Sequence, residues 1–364
     1  MDKTFSRRIR KVRAFLRARH IGAMLFTSPE NRRYLSGFTA EDASIAESSG
    51  ALLVMAGEAI LLTDGRYETQ ARSDCQDFRI FIYRKGLHEA LRYIAAEAGI
   101  KKMAYEPGYI TCSGLDAIKA VCPQVEPVPL AGKIEAMRSI KSEAELELIK
   151  KAIRAAEDVF EAVLTGLRPG MTEKEVAWRI IEGLSMEADG PSFSPIVASG
   201  PNAALPHAVP GDRKIAEGEP VIIDMGARLN GYSSDMTRTV FIGPPASPFK
   251  EVYKTVRMAQ LAAQDVIRAG LTGRFVDAVA RGIIKDAGFG SFFNHSLGHG
   301  VGLAVHEAPV LSPRAKKVLR PGMVVTIEPG VYMPDKGGIR LENMVYVGKS
   351  GGILLSRQDW FYDF

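Results

Sequence analysis

The order of apolar and polar residues over 221–240 predicts a β-hairpin. Three consecutive apolar, β-branched residues at 221–223 are typical of a buried strand. Asn230 and Gly231 follow, and this pair favours a two-residue type I′ turn because that turn needs positive φ at both central positions. The turn is therefore expected to join two antiparallel strands.

Two carboxylates fall on one face of this hairpin. A two-residue loop pairs Leu229 with Tyr232 and Asp224 with Thr237, and side-chain alternation then places Asp235 on the face of Asp224. A three-residue loop would shift the register and put the two aspartates on opposite faces. Like charges this close raise each other's pKa unless a cation lies between them, so the hairpin is a candidate cation site.

The same pattern recurs about a hundred residues later. In both 218–226 and 322–330 a glycine precedes an apolar run, an acid, one further residue and a second glycine. Each segment leads through turn-rich sequence to a second strand that carries another acid. Internal similarity of this kind predicts two related halves that face each other. Each half would donate two carboxylates, about the charge that two divalent cations need. The four are Asp224, Asp235, Glu328 and Glu342.

Three of the six histidines of the chain, His295, His299 and His306, lie within twelve positions between the two hairpins. Glycines at 298, 300 and 302 allow the backbone to approach closely there. Histidine is the commonest metal ligand, so this stretch is the predicted source of a nitrogen ligand. The sequence has neither a His-Glu-x-x-His zinc motif nor a Gly-x-Ser-x-Gly nucleophile elbow.

The N-terminal part alternates short strands and helices, which indicates an α/β domain. Apolar residues at helical spacing over 5–16 predict a surface helix with a basic outer face. Three prolines within 123–132 mark a boundary, so the expected domains are 1–131 and 132–364. The first domain has no cluster of catalytic residue types and is expected to cap or dimerise. Its predicted strands are 23–26, 51–54, 59–62 and 103–105, and its further helices begin near 67 and cover 86–98.

Helix-start signals are clear in the second domain. Ser142 with Glu145 and Thr172 with Glu175 form capping-box patterns, and apolar residues at helical spacing follow the first of them. A strand is expected over 192–197. Further helices are expected over about 250–269 and after 275.

Composition adds few constraints. The 364 residues are 46% hydrophobic and 24% charged, as in a globular protein. The net charge of +5 is not combined with aromatic residues in a way that indicates nucleic-acid binding. We expect no membrane span and no secretory signal. Three unpaired cysteines, Cys75, Cys112 and Cys122, favour a reducing compartment and hence a cytoplasmic location.

Several motifs resemble those of the pita-bread metallopeptidases, and more closely those of the Xaa-Pro peptidases, prolidase and aminopeptidase P. The resemblance covers 134–350 through the acid and histidine motifs. In the N-terminal half, Asn31–Phe38 and Leu61–Tyr67 are similar to the creatinase-type N-terminal domain. The implied fold is α+β, with a C-terminal pita-bread domain of pseudo-twofold internal repeat after a smaller α/β creatinase-type domain.

The resemblance also implies roles for individual residues. The implied ligands of two divalent ions, Mn, Co or Zn, are Asp224, Asp235, His299, Glu328 and Glu342, with Asp235 and Glu342 bridging. Glu328 would also act on a metal-bound hydroxide. His207 would contact substrate, His295 and His306 would line the site, His306 would steady the tetrahedral intermediate, and Arg340 would orient carboxylates or meet the substrate.

The implied activity is hydrolysis of the Xaa-Pro bond, with a small peptide that has proline in second position as partner and a homodimer as assembly. A dipeptidase is the first expectation and an aminopeptidase P acting on longer peptides is the alternative. A methionine aminopeptidase is disfavoured by the additional N-terminal domain, and a creatinase-type hydrolase by the complete ligand set. A more remote alternative is a non-catalytic peptide- or protein-binding member of the fold.

Two segments depart from the family pattern. Asn343 follows the last ligand glutamate where the family usually has an acid, which would alter an interaction around the ligands. Segment Glu41–Ser49 differs from the usual short glycine- or serine-rich link, which would change a lid or a dimer contact.

Overall fold

A computed structural model describes residues 3–42, 44–357 and 359–364. The helices are α1 Lys3–Ala18, α2 Pro29–Ser36, α3 Glu68–Asp74, α4 Leu87–Glu97, α5 Cys112–Val121, α6 Lys133–Arg138, α7 Glu143–Thr165, α8 Glu173–Glu187, α9 Phe249–Val266 and α10 Gly273–Asp286. The strands are β1 Ala23–Phe26, β2 Ala51–Met55, β3 Ala59–Asp64, β4 Arg79–Tyr83, β5 Lys102–Tyr105, β6 Glu126–Pro129, β7 Gly190–Pro191, β8 Ile196–Ser199, β9 Val221–Met225, β10 Ala227–Leu229, β11 Tyr232–Ser233, β12 Met236–Val240, β13 Gly298–Gly300, β14 Glu307–Leu311, β15 Val324–Ile327, β16 Gly330–Met333, β17 Gly337–Arg340, β18 Asn343–Val347 and β19 Gly352–Leu354.

The chain divides into two compact units, Met1–Glu135 and Ala136–Phe364. The first contains a six-stranded sheet in the order β4-β3-β2-β1-β5-β6. Only β2 runs antiparallel to its neighbours, and helices connect the parallel strands. The apolar stripe of α1 is buried at Ile9, Val12 and Leu16, as its periodicity predicts. This unit is the expected α/β domain.

The second unit is built twice on the same plan. In the first half β9 pairs with β12 and β10 with β11, and in the second half β15 pairs with β18 and β16 with β17. A pair of helices precedes each set, α7 with α8 and α9 with α10. Even single bridges recur, because Thr172 pairs with Lys214 and Thr272 pairs with Val318. The predicted internal repeat is therefore present as two structurally equivalent halves.

The hairpin register follows the prediction. Leu229 lies opposite Tyr232 and Asp224 opposite Thr237. Asn230 and Gly231 have φ of 47° and 75°, the left-handed values that a type I′ turn requires. The three-residue loop is excluded.

Local signals set the ends of the helices. Ser142 and Thr172 each accept from the backbone N–H three residues on, and Glu145 and Glu175 complete the two capping boxes. The prediction of a strand over 192–197 is wrong in extent, because β8 begins only at Ile196. Pro195 has no N–H to donate to a ladder, so the bond from the Ser192 N–H to the Gly226 carbonyl at 2.8 Å is not continued into β8. In the described part of the chain, none of the helices is both long and apolar enough to cross a membrane.

Candidate metal centre

The second unit encloses a cavity of about 710 Å³ that opens to solvent. Strands of both halves contribute to its wall, together with the loops that precede β9 and β14. The wall includes all nine site residues expected from the sequence: His207, Asp224, Asp235, His295, His299, His306, Glu328, Arg340 and Glu342.

In the first half, the two acids flank a close approach of backbone to backbone. Asp224 lies near the end of β9, and Asp235 immediately precedes β12. Between them, Gly226 packs so closely that a Cβ there would come within 2.0 Å of the Ser234 carbonyl oxygen. Only glycine fits that position, which brings the two acid-bearing strands together.

In the second half, Glu328 directly follows β15 and Glu342 directly precedes β18. Threonine hydroxyls orient both carboxylates. Thr326 donates to Oε1 of Glu328 at 3.0 Å, and Thr237, which belongs to the first half, donates to Oε2 of Glu342 at 2.8 Å. The second of these bonds crosses between the halves and aligns their acids.

The acids of both halves converge with one histidine. Asp235, His299 and Glu342 each present a ligand atom, and these atoms all lie within 4.8 Å of one another. Oδ1 of Asp224 and Oε1 of Glu342 are buried and have no hydrogen-bond partner among the described residues. A buried carboxylate oxygen without a donor is costly, and a cation removes that cost. The donor set of four carboxylates and one imidazole therefore fits hard or borderline divalent metals.

The pKa shifts of the acids express the same crowding. Burial raises the pKa of Asp235 well above its ordinary range, and the charge of Glu342 adds to the effect. The pKa of Glu342 is likewise raised by burial and by Glu328. Burial also raises the pKa of Asp224, although Arg340 opposes this. Without a cation, these groups resist ionisation together.

His299 presents a lone pair to this cluster. Its Nδ1 lies 3.1 Å from the Gly300 carbonyl oxygen, which can only accept, so Nδ1 carries the proton. In the neutral ring Nε2 is then unprotonated, and it lies 3.2 Å from Oε1 of Glu328 and 3.7 Å from Oδ2 of Asp235. A backbone carbonyl that fixes the tautomer is the usual support of a metal-binding histidine. Burial lowers the pKa of His299, but Glu328 outweighs burial and raises it overall, so a proton competes with a cation for the lone pair of Nε2.

A hydrogen-bonded chain runs behind the acids. Nδ1 of His295 donates to the Ser296 carbonyl at 2.8 Å, so its Nε2 accepts from the Tyr332 hydroxyl at 2.9 Å. Burial lowers the pKa of His295, in keeping with this neutral form. The Tyr332 oxygen in turn accepts from Nη1 of Arg340 at 2.9 Å. Both ring nitrogens of His295 are thus engaged within the protein.

Arg340 is committed to the protein as well. It donates to Oδ2 of Asp224 at 2.6 Å, to the Thr237 hydroxyl at 3.2 Å and to the Pro206 carbonyl at 3.2 Å. Its side chain is only 4% exposed. Of the two roles implied for it, the geometry favours orienting a carboxylate.

His207 and His306 lie at the opening of the cavity and are exposed. The ring of His306 lies 4.2 Å from that of His299, centroid to centroid. Burial lowers the pKa of His306 and the neighbouring His299 lowers it further, so His306 is a neutral group near pH 7. These two imidazoles, unlike His295, face solvent and are free to meet a ligand.

Glu307 also lines the cavity, but its charge is already matched. Arg138 and Lys141 both form ion pairs with its carboxylate, and the three side chains are at most 5% exposed. Despite its burial, these cations hold the pKa of Glu307 below its ordinary value. This triad anchors the residue that follows His306.

Sequence reasoning did not single out Tyr332 or the orienting threonines. Tyr332 reads as a core residue of an apolar strand, and its link to His295 joins residues far apart in sequence. Thr326 carried a usable signal, because it lies two residues before Glu328 and so shares its face of the strand.

Comparisons with known proteins bear on both units. Residues 147–349 match the profile of metallopeptidase family M24, and residues 8–140 match the creatinase/prolidase N-terminal domain. The Xaa-Pro dipeptidase of Pyrococcus horikoshii is 35% identical over 353 residues, 97% of each chain.

Solved structures show the same architecture. The Xaa-Pro dipeptidase from Bacillus anthracis is 37% identical with a TM-score of 0.91, covering 97% of this chain and 98% of that chain. The X-Pro aminopeptidase from Thermotoga maritima is 36% identical with a TM-score of 0.84, covering 93% and 96%. The α+β architecture expected from the sequence, a creatinase-type domain followed by a pita-bread domain, is confirmed.

Proposed function

Because the chain belongs to metallopeptidase family M24 and carries a creatinase/prolidase-type N-terminal domain, we propose that it hydrolyses the Xaa-Pro peptide bond, with dipeptides as its main substrates. The observation that carries this proposal is the convergence of Asp235, His299 and Glu342 in a cavity open to solvent. Residues 1–131 are assigned to the N-terminal domain and 132–364 to the catalytic domain.

The residues proposed to hold two divalent ions are Asp224, Asp235, His299, Glu328 and Glu342. The unpartnered oxygens of Asp224 and Glu342 support this assignment, because each offers a lone pair that no protein donor satisfies. Manganese, cobalt and zinc all suit a set of carboxylates with one imidazole. When bound, such ions supply Lewis acidity that polarises the scissile carbonyl and makes water a nucleophile near neutral pH.

The protein's own groups are proposed to orient substrate and move protons. Glu328 is the proton acceptor, and Thr326 fixes its orientation through Oε1. His306 and His207, exposed at the opening, donate to the carbonyl and contact the substrate. His295 and Arg340 are proposed to orient other site residues rather than to contact the substrate, because both are hydrogen-bonded to Tyr332.

The chemistry matches the demands of the bond. An Xaa-Pro bond has no N–H, and proline fixes φ, so a peptidase cannot use the usual strand-like contact at this position. A site that grips the carbonyl through ions and imidazoles does not need that N–H. The same reasoning applies to an aminopeptidase P acting on longer peptides, which remains the alternative. Two observations support this alternative: the cavity has a volume of about 710 Å³, and the chain is similar to the X-Pro aminopeptidase from Thermotoga maritima.

A homodimer and a cytoplasmic location are proposed from the family resemblance. The three cysteines are free, with Cys75 and Cys122 buried and Cys112 exposed, which supports a reducing compartment. A non-catalytic binding role is disfavoured, because uncompensated burial of four acids would be costly.

The experiment is hydrolysis of Ala-Pro against Ala-Pro-Ala by apo-protein reconstituted separately with Mn²⁺, Co²⁺ and Zn²⁺, with metal content measured in parallel. Preferential cleavage of the dipeptide supports the proposal. Cleavage of the tripeptide alone transfers the assignment to aminopeptidase P. Failure to cleave either peptide with two ions bound contradicts Xaa-Pro hydrolysis.

A further inference from the structure

Glu173, the first residue of α8, carries a fully buried carboxylate outside the metal cavity. Its Oε1 accepts from the backbone N–H of Ser199 at 2.7 Å, from the Ser199 hydroxyl at 2.8 Å and from Nδ2 of Asn202 at 3.1 Å. Its Oε2 accepts from Nδ2 of Asn202 at 3.1 Å and from the N–H of Gly211 at 3.2 Å. These five contacts reach a single segment, 199–211.

The helix does not need this carboxylate. Thr172 and Glu175 already cap α8 with a complete capping box. At the equivalent joint of the second half, Thr272 caps α10 and Gly273 stands where Glu173 stands in the first half. A helix start of this kind therefore forms without an acid at its first position.

The second half fills the same place with backbone. A Cβ on Gly273 would lie 2.2 Å from the Val310 carbonyl oxygen, so that carbonyl occupies the space next to the helix start. Val310 belongs to β14 and lines the metal cavity. In both halves, the start of the helix thus supports a segment that carries cavity residues. In the second half the support is backbone packing at Gly273, and in the first half it is the hydrogen bonds of Glu173.

The segment that Glu173 holds carries His207 at its centre. Glu173 bonds to Ser199 at one end and to Gly211 at the other, and His207 lies exposed between them at the cavity opening. Ala203 and Ala208 are buried and pack in one apolar cluster with Tyr332.

Fixing the two ends of a loop of this length costs conformational entropy, and the hydrogen bonds to Glu173 at both ends offset that cost. A buried carboxylate that accepts several hydrogen bonds also imposes a narrow geometry on its donors. Backbone bonds that do not involve the Glu173 carboxylate also hold this segment: the N–H of Lys174 donates to the Gly211 carbonyl at 3.0 Å, and the N–H of Gly200 donates to the Pro220 carbonyl at 2.9 Å. Between the two ends, Arg340 donates to the Pro206 carbonyl at 3.2 Å.

We infer that Glu173 is a positioning residue for substrate binding, which acts by fixing the 199–211 segment so that His207 faces the bound peptide. The inference rests on the proposed function in so far as His207 is taken to contact the Xaa-Pro substrate. Loss of the Glu173 carboxylate is therefore expected to weaken substrate binding without weakening metal binding.

The test compares Glu173→Gln with Glu175→Gln in the metal-loaded enzyme. Glutamine keeps the shape of Glu173 but replaces an acceptor oxygen with an NH₂ group that faces other donors. Glu175 lies at the same helix end, is exposed, and bonds only locally with Thr172, so it is the matched control. For Glu173→Gln we expect kcat/KM to fall on the order of tenfold, mainly through KM, with two ions still bound. The control is expected to keep wild-type KM.

A double-mutant cycle with His207→Ala separates positioning from general structural damage. If Glu173 acts through His207, Glu173→Gln causes no further loss in the His207→Ala background. Additive losses, or an unchanged KM for Glu173→Gln, would overturn the inference. If Glu173→Gln does not fold, Asn202→Ala removes two of the five contacts from the loop side and takes its place. A smaller rise in KM that vanishes in the His207→Ala background is then expected, and an unchanged KM overturns the inference.

Hydrogen–deuterium exchange keeps this test independent of the substrate assignment. In Glu173→Gln, or in Asn202→Ala, amides of 199–211 are expected to exchange at least about tenfold faster than in Glu175→Gln, while amides of β9 and β12 stay protected. Unchanged exchange in 199–211 contradicts the inference even if the peptides are cleaved. Faster exchange without cleavage of any Xaa-Pro peptide contradicts the proposed function but leaves the anchoring by Glu173 standing.

Discussion

Nη2 of Arg340 lies 2.6 Å from Oδ2 of Asp224, although the two residues belong to different halves of the catalytic unit. The contact leaves Oδ1 of Asp224 buried and unpartnered, so the guanidinium directs the free oxygen of the carboxylate. Arg340 therefore sets the orientation of an acid that the other half contributes to the proposed metal site.

This relationship predicts the effect of Arg340→Lys. Lysine keeps the charge, but it cannot make the separate contacts of a planar guanidinium with Asp224, Tyr332 and Pro206. We expect metal affinity and kcat/KM to fall by about 10- to 100-fold. Isothermal titration of metal into apo-protein and steady-state kinetics would measure both. Arg154→Lys, on the exposed face of α7, is the control, and wild-type metal affinity in Arg340→Lys would contradict the orienting role.

Asp235→Asn separates the two consequences of acid crowding. The variant is expected to bind metal at least about 100-fold more weakly than wild type and to lose activity as a result. The apo-variant, in contrast, is expected to melt at a higher temperature than apo wild type, because one buried like charge is gone. Scanning fluorimetry with and without added metal would show both effects. Asp265→Asn, exposed on α9, should leave both melting temperatures unchanged, and an equal metal-induced rise in Asp235→Asn and wild type would exclude Asp235 as a ligand.

His306 and His299 have neighbouring rings but should behave differently. For His306→Ala we expect turnover to fall by about 100-fold with the metal content kept, as for loss of a hydrogen-bond donor to the developing oxyanion. For His299→Ala we expect the metal to be lost, because Nε2 of His299 faces the acids. Elemental analysis alongside kcat distinguishes the two. Metal loss in His306→Ala would make that residue a ligand.

Glu106 gives the N-terminal unit a predicted pH dependence of stability. Burial raises the pKa of Glu106 from 4.5 to about 7, even though Asn31 and the backbone N–H groups of Ser28 and Thr27 donate to it. The folded state thus binds the proton more tightly than the unfolded state. This contribution is fully present below pH 4.5 and is lost as the pH rises through 7.

The expected size of this effect is on the order of 3 kcal/mol, from the difference between a pKa of 4.5 and one of about 7. Urea titrations of wild type and Glu106→Gln between pH 4.5 and 8 would measure it. The variant is expected to lose that part of the pH dependence. An identical pH profile in both proteins would show that Glu106 does not titrate in this range.

Local signals were sufficient wherever one short segment decides the structure. The register of the first hairpin followed from Asn230 and Gly231, since a two-residue turn leaves one way to pair the strands. The capping boxes at Ser142 and Thr172 likewise gave the starts of their helices. The repeat of glycine, apolar run and acid then indicated that the two halves share one plan.

Contacts between distant segments were beyond sequence reasoning. The chain from His295 through Tyr332 to Arg340 depends on how β16 and β17 pack behind the acids, which no periodicity encodes. Side chains that act in such contacts look like ordinary core or turn residues in the sequence. The error in the strand over 192–197 has a local cause, because Pro195 has no N–H for a ladder and β8 begins only after it.

The shared plan of the two halves leaves each of them incomplete without the other. Asp224 and Asp235 belong to one half, and His299, Glu328 and Glu342 belong to the other. Neither half alone therefore supplies the full set of proposed ligands. Equivalent positions of the two halves can therefore carry different residues with different tasks, as Glu173 and Gly273 do.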